Sequence, residues 1–283
     1  MKFENKRYGE ERALYGIKDS TVIGCRFEGE EDGESALKEC QNIEVEDCFF
    51  DLRYPFWHVT DANVKSIEMT EKCRAAFWYD SNMKISSGKL YGTKALRECQ
   101  GVVLSECDIN SEEFGWRCAD IVIEGCTLSS QYPFFECRGM NVHKLNMKGK
   151  YSFQYIENAR FSDCTFNTKD AFWHAKNVTV TDSVINGEYL GWYSENLHLI
   201  RCKISGTQPL CYCKGLIIED CEMEGTDLSF ERSEVSATVR GNIMSVKNPI
   251  SGYIKAESIG ETVWDCDFES KSTCKIESGA LIK

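Results

Sequence analysis

The sequence predicts an all-β fold: a single right-handed parallel β-helix of about twelve coils, each of roughly nineteen residues. Three features predict it. The segment "AFWYDSN" at residues 76–82 returns as "AFWHAKN" at residues 171–177, five periods of nineteen later. A column of turn-forming residues recurs at that period without insertion: Asn63, Asn82, Gly101, Asp120, Gly139, Asn158, Asn177, Asn196 and Gly215. Columns of apolar residues follow these turns at fixed offsets.

Asn, Asp and Gly tolerate a left-handed backbone, so the first column is a tight turn, which Asn42 joins if two extra residues are allowed. One place on stand Val64, Met83, Val102 and Ile121; three places on stand Ile85, Leu104 and Ile123, with polar residues between. Alternation at period two is a short strand with one buried face. Six places after the turn the column reads Cys48, Met69, Gly88, Cys107, Cys126, Leu145, Cys164, Ser183, Cys202 and Cys221. Two further on come Phe50, Leu90, Ile109 and Leu128, a second strand, which ends at small residues such as Gly92, Ser111, Thr168, Gly187 and Gly206. A third strand carries the aromatic segment and closes at Cys99, Cys118, Cys137 or Cys213, two places before the next turn. No row has room for a helix and no hairpin signal joins the strands. Successive rows therefore pair in parallel, ~4.8 Å apart. Residues 1–18 read as an N-terminal cap, 19–241 as regular coils, and 242–283 as irregular C-terminal coils and cap, all in one domain.

The chain has 283 residues, with 45 acidic against 33 basic side chains and a net charge of −12. That balance repels phosphate backbones and anionic lipid, so neither nucleic acid nor membrane is expected as a partner. The start, "MKFENKRYGEERALYG", has no apolar run to serve as a signal-peptide core, and no stretch approaches the ~20 apolar residues of a membrane span. A cytoplasmic location is expected. The 16 cysteines include no CxxC. A column spreads thiols along a line, whereas zinc needs ligands converging on a point. Its spacing also exceeds the ~3.8 Å between Cβ atoms that a disulfide prefers. The cysteines read as small buried hydrophobes, with no metal or cofactor.

The Asn turn ladder and stacked apolar columns resemble the pectin-lyase-like β-helix superfamily. The cysteine-rich short coil, with "YGEERALYG" near the start and "AFWH" inside, is similar to an uncharacterised bacterial domain family of that superfamily. The resemblance spans essentially the whole chain and implies the fold; it implies no assigned chemistry. Lyases of the superfamily typically use clustered aspartates that hold calcium, with an arginine base; related hydrolases use several Asp with Gly-His-Gly and Arg-x-Lys. This sequence lacks those hydrolase motifs, and its outward triplets "RFS", "TVT", "HLI" and "IIE" place no carboxylates on consecutive coils.

Three constellations remain. Asp163, Asp182 and Asp220, with Arg201 between, form either a cation site or a row of corner residues bonding nearby backbone. Glu98, Arg117 and Glu136, with His174 further along the column, are the catalytic candidates. The two glutamates stand two coils apart, about 10 Å, near the upper end for an inverting glycosidase pair. Their alternation with Arg117 also reads as an ion-pair ladder. The ligand-binding candidates are Trp116, Tyr155, Trp173, His174, Trp192, Tyr193 and Tyr212. Neighbouring strand residues face opposite ways, so one of Phe77 and Trp78, and one of Phe172 and Trp173, looks outward. Which one stays open. The expected function is recognition or processing of a glycan on this aromatic and ionic wall; the alternative is a structural module that self-associates through it.

Overall fold

The computed structural model describes residues 1–29 and 34–279. It divides the chain into two compact units, Met1–Asn146 and Met147–Lys283. Each is a parallel β-solenoid. Among the described residues the first unit has eight successive rungs of the first strand, from Lys2–Glu4 to Arg138–His143, and the second has seven, from Glu157–Ser162 to Lys275–Ser278. The solenoid therefore has about 14 turns, not twelve. The extra turns come from the expected caps. Lys2–Glu4 and Arg7–Tyr8 already pair in register with Lys18–Ile23 and Arg26–Phe27, so residues 1–18 build a coil. At the other end Glu234–Lys247 and Ser251–Val263 are the longest strands, although their spacing shortens, with Val235 opposite Gly252 and Asn242 opposite Ser258. Positions 280–283 of the expected cap lie outside the described residues.

Inward columns are buried as the alternation requires: Val102, Leu104, Ile121 and Val180 are at or below 1% exposure. The turn column is left-handed at Asn82 (φ 55), Asp120 (φ 55), Asn177 (φ 53) and Asn196 (φ 55). One rung differs. Asp61, not Asn63, takes the left-handed turn (φ 58), because Ala62 pairs with Met83 and Val64 with Ile85. Met69 correspondingly joins Phe50 and Leu90, while Ile67 fills the cysteine column. The two extra residues thus sit in the corner at 70–76, one coil later than the sequence layout placed them. A loose corner absorbs an insertion that a strand would convert into a flipped face.

The cysteine columns have a physical reason beyond size. At the corner before each such residue the chain turns and a backbone N–H loses its neighbouring carbonyl. The N–H of Cys107 donates to Cys126 Sγ (3.4 Å), that of Cys202 to Cys221 Sγ (3.3 Å), and that of Cys99 to Cys118 Sγ (3.4 Å). Where serine replaces cysteine the same bond forms, from Cys164 N–H to Ser183 Oγ (3.0 Å). The thiols in turn donate to the carbonyl two residues back, as Cys48 does to Glu46 (3.2 Å). Fourteen cysteines are free and buried; Cys266 is exposed and Cys274 half-buried. Burial pushes five of these thiols up, to about 11 at Cys40, Cys73 and Cys213 and about 12 at Cys48 and Cys211. Thiol titration without reductant is expected to find Cys266 reacting promptly, Cys274 slowly, and all 16 cysteines only after denaturation. A denatured count near zero would show disulfides.

The third segment of each coil departs from the expected strand. In the first unit Phe56–Trp57, Phe77–Trp78 and Leu96–Arg97 form a short three-stranded sheet, and Glu113–Phe114 pairs with Tyr132–Pro133. In the second unit no such strand occurs among the described residues. Alternate residues are left-handed instead, as at Asp170, Phe172 and His174, and at Tyr189 and Tyr193. A non-glycine residue in this region costs roughly 1–2 kcal/mol. Bonds between coils offset that cost: Phe172 N–H donates to Ser152 O (2.9 Å) and His174 N–H to Trp192 O (2.9 Å).

Candidate functional site

This backbone decides which aromatics face out. A left-handed residue at the Tyr/His position (Tyr79 φ 57, His174 φ 54) breaks simple alternation. Three consecutive side chains then take three environments. Phe77 and Phe172 are fully buried, Trp78 and Trp173 half-buried, and Tyr79 is 45% exposed. Both the Trp and the Tyr/His columns therefore reach the surface, and the Phe column is core. Phe172 stacks on Phe153 at 4.9 Å among Phe161 and Phe166.

In the second unit Tyr155, His174, Tyr193 and Tyr212 form one continuous stack. Ring centroids are 4.8, 5.0 and 4.9 Å apart and the planes within 6–11° of parallel. Tyr155 and Tyr193 are 46% and 43% exposed. Because each inner ring lies between two others, the ladder offers ring edges, phenolic hydroxyls and an imidazole edge to solvent, and no inner face. Burial and the Glu231 carboxylate raise the Tyr212 phenol above its ordinary value, so that hydroxyl remains a donor. Beside the ladder Trp173 and Trp192 stack at 5.4 Å. Their indole N–H groups are committed: Trp173 Nε1 donates to Tyr189 O and Trp192 Nε1 to Gln208 O, both at 2.7 Å. The tryptophans clamp one coil to the next.

In the first unit Arg117 Nε meets Glu136 Oε2 at 2.8 Å, and Arg117 Nη1 approaches Glu98 Oε1 at 3.7 Å. Trp78 Nε1 also donates to Glu98 Oε2 (2.9 Å). Burial raises the Glu98 carboxyl, but hydrogen bonds from Tyr79 and Trp78, with Arg97 and Arg117 nearby, outweigh it and hold the group below its ordinary value. A general acid needs the opposite shift. The column is an ion-pair ladder, and His174 belongs to the other unit. Trp116 resembles the other tryptophans, donating to Tyr132 O at 2.7 Å, with Arg97 over its ring at 5.5 Å. Asp163, Asp182 and Asp220 are exposed left-handed corner residues. Asp182 holds Arg201 through two bonds of 2.7 and 2.6 Å. Among the described residues no three His, Cys, Asp or Glu side chains converge as metal ligands.

One feature escaped the sequence reading. The first unit carries a cavity of about 170 Å³ lined by Tyr54, Arg74, Ala75, Trp78, Lys94 and Arg97. The signal for it was faint: Arg97 interrupts the tryptophan column, and Ala75 sits opposite Tyr54.

Stacked parallel coils with inward apolar columns and outward ladders define a parallel β-helix protein. The chain belongs to the family described as "Protein of unknown function (DUF3737)", which matches residues 1–277. No curated protein matches it significantly. Among solved structures it is similar to PfbA, a surface adhesin of Streptococcus pneumoniae, with a TM-score of 0.50 and 8% identity over 91% of this chain and 83% of that one. It also aligns with the A-module of the mannuronan C-5 epimerase AlgE4 of Azotobacter vinelandii (TM-score 0.32, 8% identity, 97% and 89% covered). A third is the catalytic domain of a GH87 alpha-1,3-glucanase in complex with nigerose (TM-score 0.38, 9% identity, 98% and 63% covered). At these identities the likeness is one of fold.

Proposed function

We propose that this protein recognises an extended glycan along the Tyr155, His174, Tyr193 and Tyr212 ladder of the second unit. The observation that carries the reading is the ladder's repeat. Its ring spacings of 4.8–5.0 Å are close to the rise of one pyranose along an extended chain, so each coil meets one sugar. Contact is through hydroxyls and ring edges, because the inner faces are covered. Recognition is favoured over processing, since the ladder carries no paired carboxylates. The buried, unpaired thiols support a reducing compartment such as the cytoplasm.

The test is a glycan array with the full chain, followed by Tyr193→Ala and His174→Ala, with sedimentation of each variant. Binding is expected to weaken at least tenfold while mass and melting temperature hold. If the variants instead convert an oligomer into a monomer and leave the glycan signal unchanged, the ladder is a self-association surface and the glycan reading fails.

A further inference from the structure

The cavity of the first unit arises from two interruptions in otherwise continuous ladders. Trp57 stacks on Trp78 at 5.2 Å, but on the next rung Trp78 meets Arg97 in register, so its second face is not covered by another indole. Alongside, Tyr54, Ala75 and Lys94 occupy one column of left-handed residues (φ 54, 43 and 58). Their backbones follow one another by the bonds Tyr54 N–H to Arg74 O and Ala75 N–H to Thr93 O, both 2.9 Å. Ala75 leaves empty the volume a larger side chain would fill. The resulting cleft has the rings of Tyr54 and Trp78 on its wall, centroids 5.8 Å apart, Ala75 at its floor, and Arg74, Lys94 and Arg97 around it.

The charge there opposes that of the whole chain, which is −12. Glu113 approaches Lys94 Nζ at 3.6 Å and Arg97 Nη1 at 3.7 Å, too far for hydrogen bonds, and its Oε2 is buried without a hydrogen-bond partner. Glu98 lies 3.9 Å from Arg97 but is engaged by Trp78 Nε1. Arg74 is exposed and makes no ion pair among the described residues. Three cations face Glu113 and a Glu98 carboxylate that is shared with Arg117, which leaves an excess of between about one and two positive charges. A phosphate monoester supplies about −1.5 to −2 at neutral pH, and guanidinium forks suit its oxygens. Aromatic faces beside the cations suit a ring rather than a bare ion.

We infer that this cleft binds a small phosphate monoester of the sugar-phosphate class. The sugar ring lies against Trp78 and Tyr54 over Ala75, and the phosphate is held by Arg74, Lys94 and Arg97. The site is separate from the glycan ladder and does not depend on it.

Calorimetry on the full chain tests this with glucose 6-phosphate, glucose, glucuronate and inorganic phosphate as probes. Glucose 6-phosphate is expected to bind at least tenfold more tightly than each of the others. Arg74→Gln should weaken it tenfold or more. Ala75→Tyr should abolish binding without loss of melting temperature, because Tyr54 adopts the same left-handed conformation one coil earlier and the new ring fills the space left above Ala75. Equal affinity for inorganic phosphate would remove the ring from the proposal, and equal affinity for glucuronate would remove the need for a dianion; either result overturns it. Binding that survives Ala75→Tyr places the ligand elsewhere and overturns it too.

Discussion

Replacing Gly187 by alanine is expected to cost on the order of 4 kcal/mol or more, the exceptional end for one substitution. Gly187 has φ 144, and a Cβ there would lie 1.4 Å from the carbonyl oxygen of Thr168 on the preceding coil. That oxygen is backbone and cannot step aside without parting the coils. Gly225 occupies the same sequence column two coils later, with φ 77 and open space around it. Gly225→Ala should therefore cost only the left-handed penalty, roughly 1–2 kcal/mol. Chemical denaturation of the two variants measures the difference. Equal losses would mean that the coils at Thr168 and Gly187 do not approach as closely as described.

The second large effect runs the other way. Asp80 is 2% exposed and stands in the inward column that holds Cys99 and Cys118. Its Oδ1 accepts the Val59 N–H at 2.8 Å, the same bond that Cys118 Sγ gives Cys99, while Oδ2 is buried without a partner. Burial, reinforced by the Cys99 thiol, pushes its carboxyl well above the ordinary value, so the folded chain keeps the proton that the unfolded chain releases. The folded state then binds more protons, and stability falls as pH rises from about 4 toward the raised folded value. Asp80→Ser keeps an oxygen for Val59 and removes the orphan. It should stabilise the protein at pH 7 by roughly 1–3 kcal/mol. Near pH 3, where both states of the wild type are protonated, the proton-linked part of the gain should vanish and only the part due to the orphaned oxygen remain. Melting curves at the two pH values check this; a gain that does not depend on pH would mean Asp80 is already ionised when folded.

Asp80 was not singled out from the sequence, although it shares its column with Cys99, Cys118 and Cys137, and an inward column is a statement about burial that needs no coordinates. The same logic made the fold legible. A strict nineteen-residue repeat can bury its apolar columns only by stacking each coil on the last, so parallel pairing and the inward faces of Val102, Ile123 and Val180 followed from period and alternation alone. The cysteine columns read correctly as packing for the same reason.

What alternation could not settle was the aromatic segment. Period two assumes extended backbone, and here left-handed residues such as Phe172 and His174 fall two apart. Side-chain direction then depends on bonds to the coils on either side, which no local pattern encodes. Hence the Phe column went inside, both Trp and Tyr/His columns reached the surface, and the tyrosine faces were covered by one another. The position of the insertion, in the corner at 70–76, was hidden likewise, since Asn63 suits a turn as well as Asp61 and only pairing with the coil of Asn82 distinguishes them. The cleft of the first unit depended wholly on tertiary structure: it is the space left where Ala75 and Arg97 interrupt two ladders, and a gap is a property of neighbours rather than of any one residue.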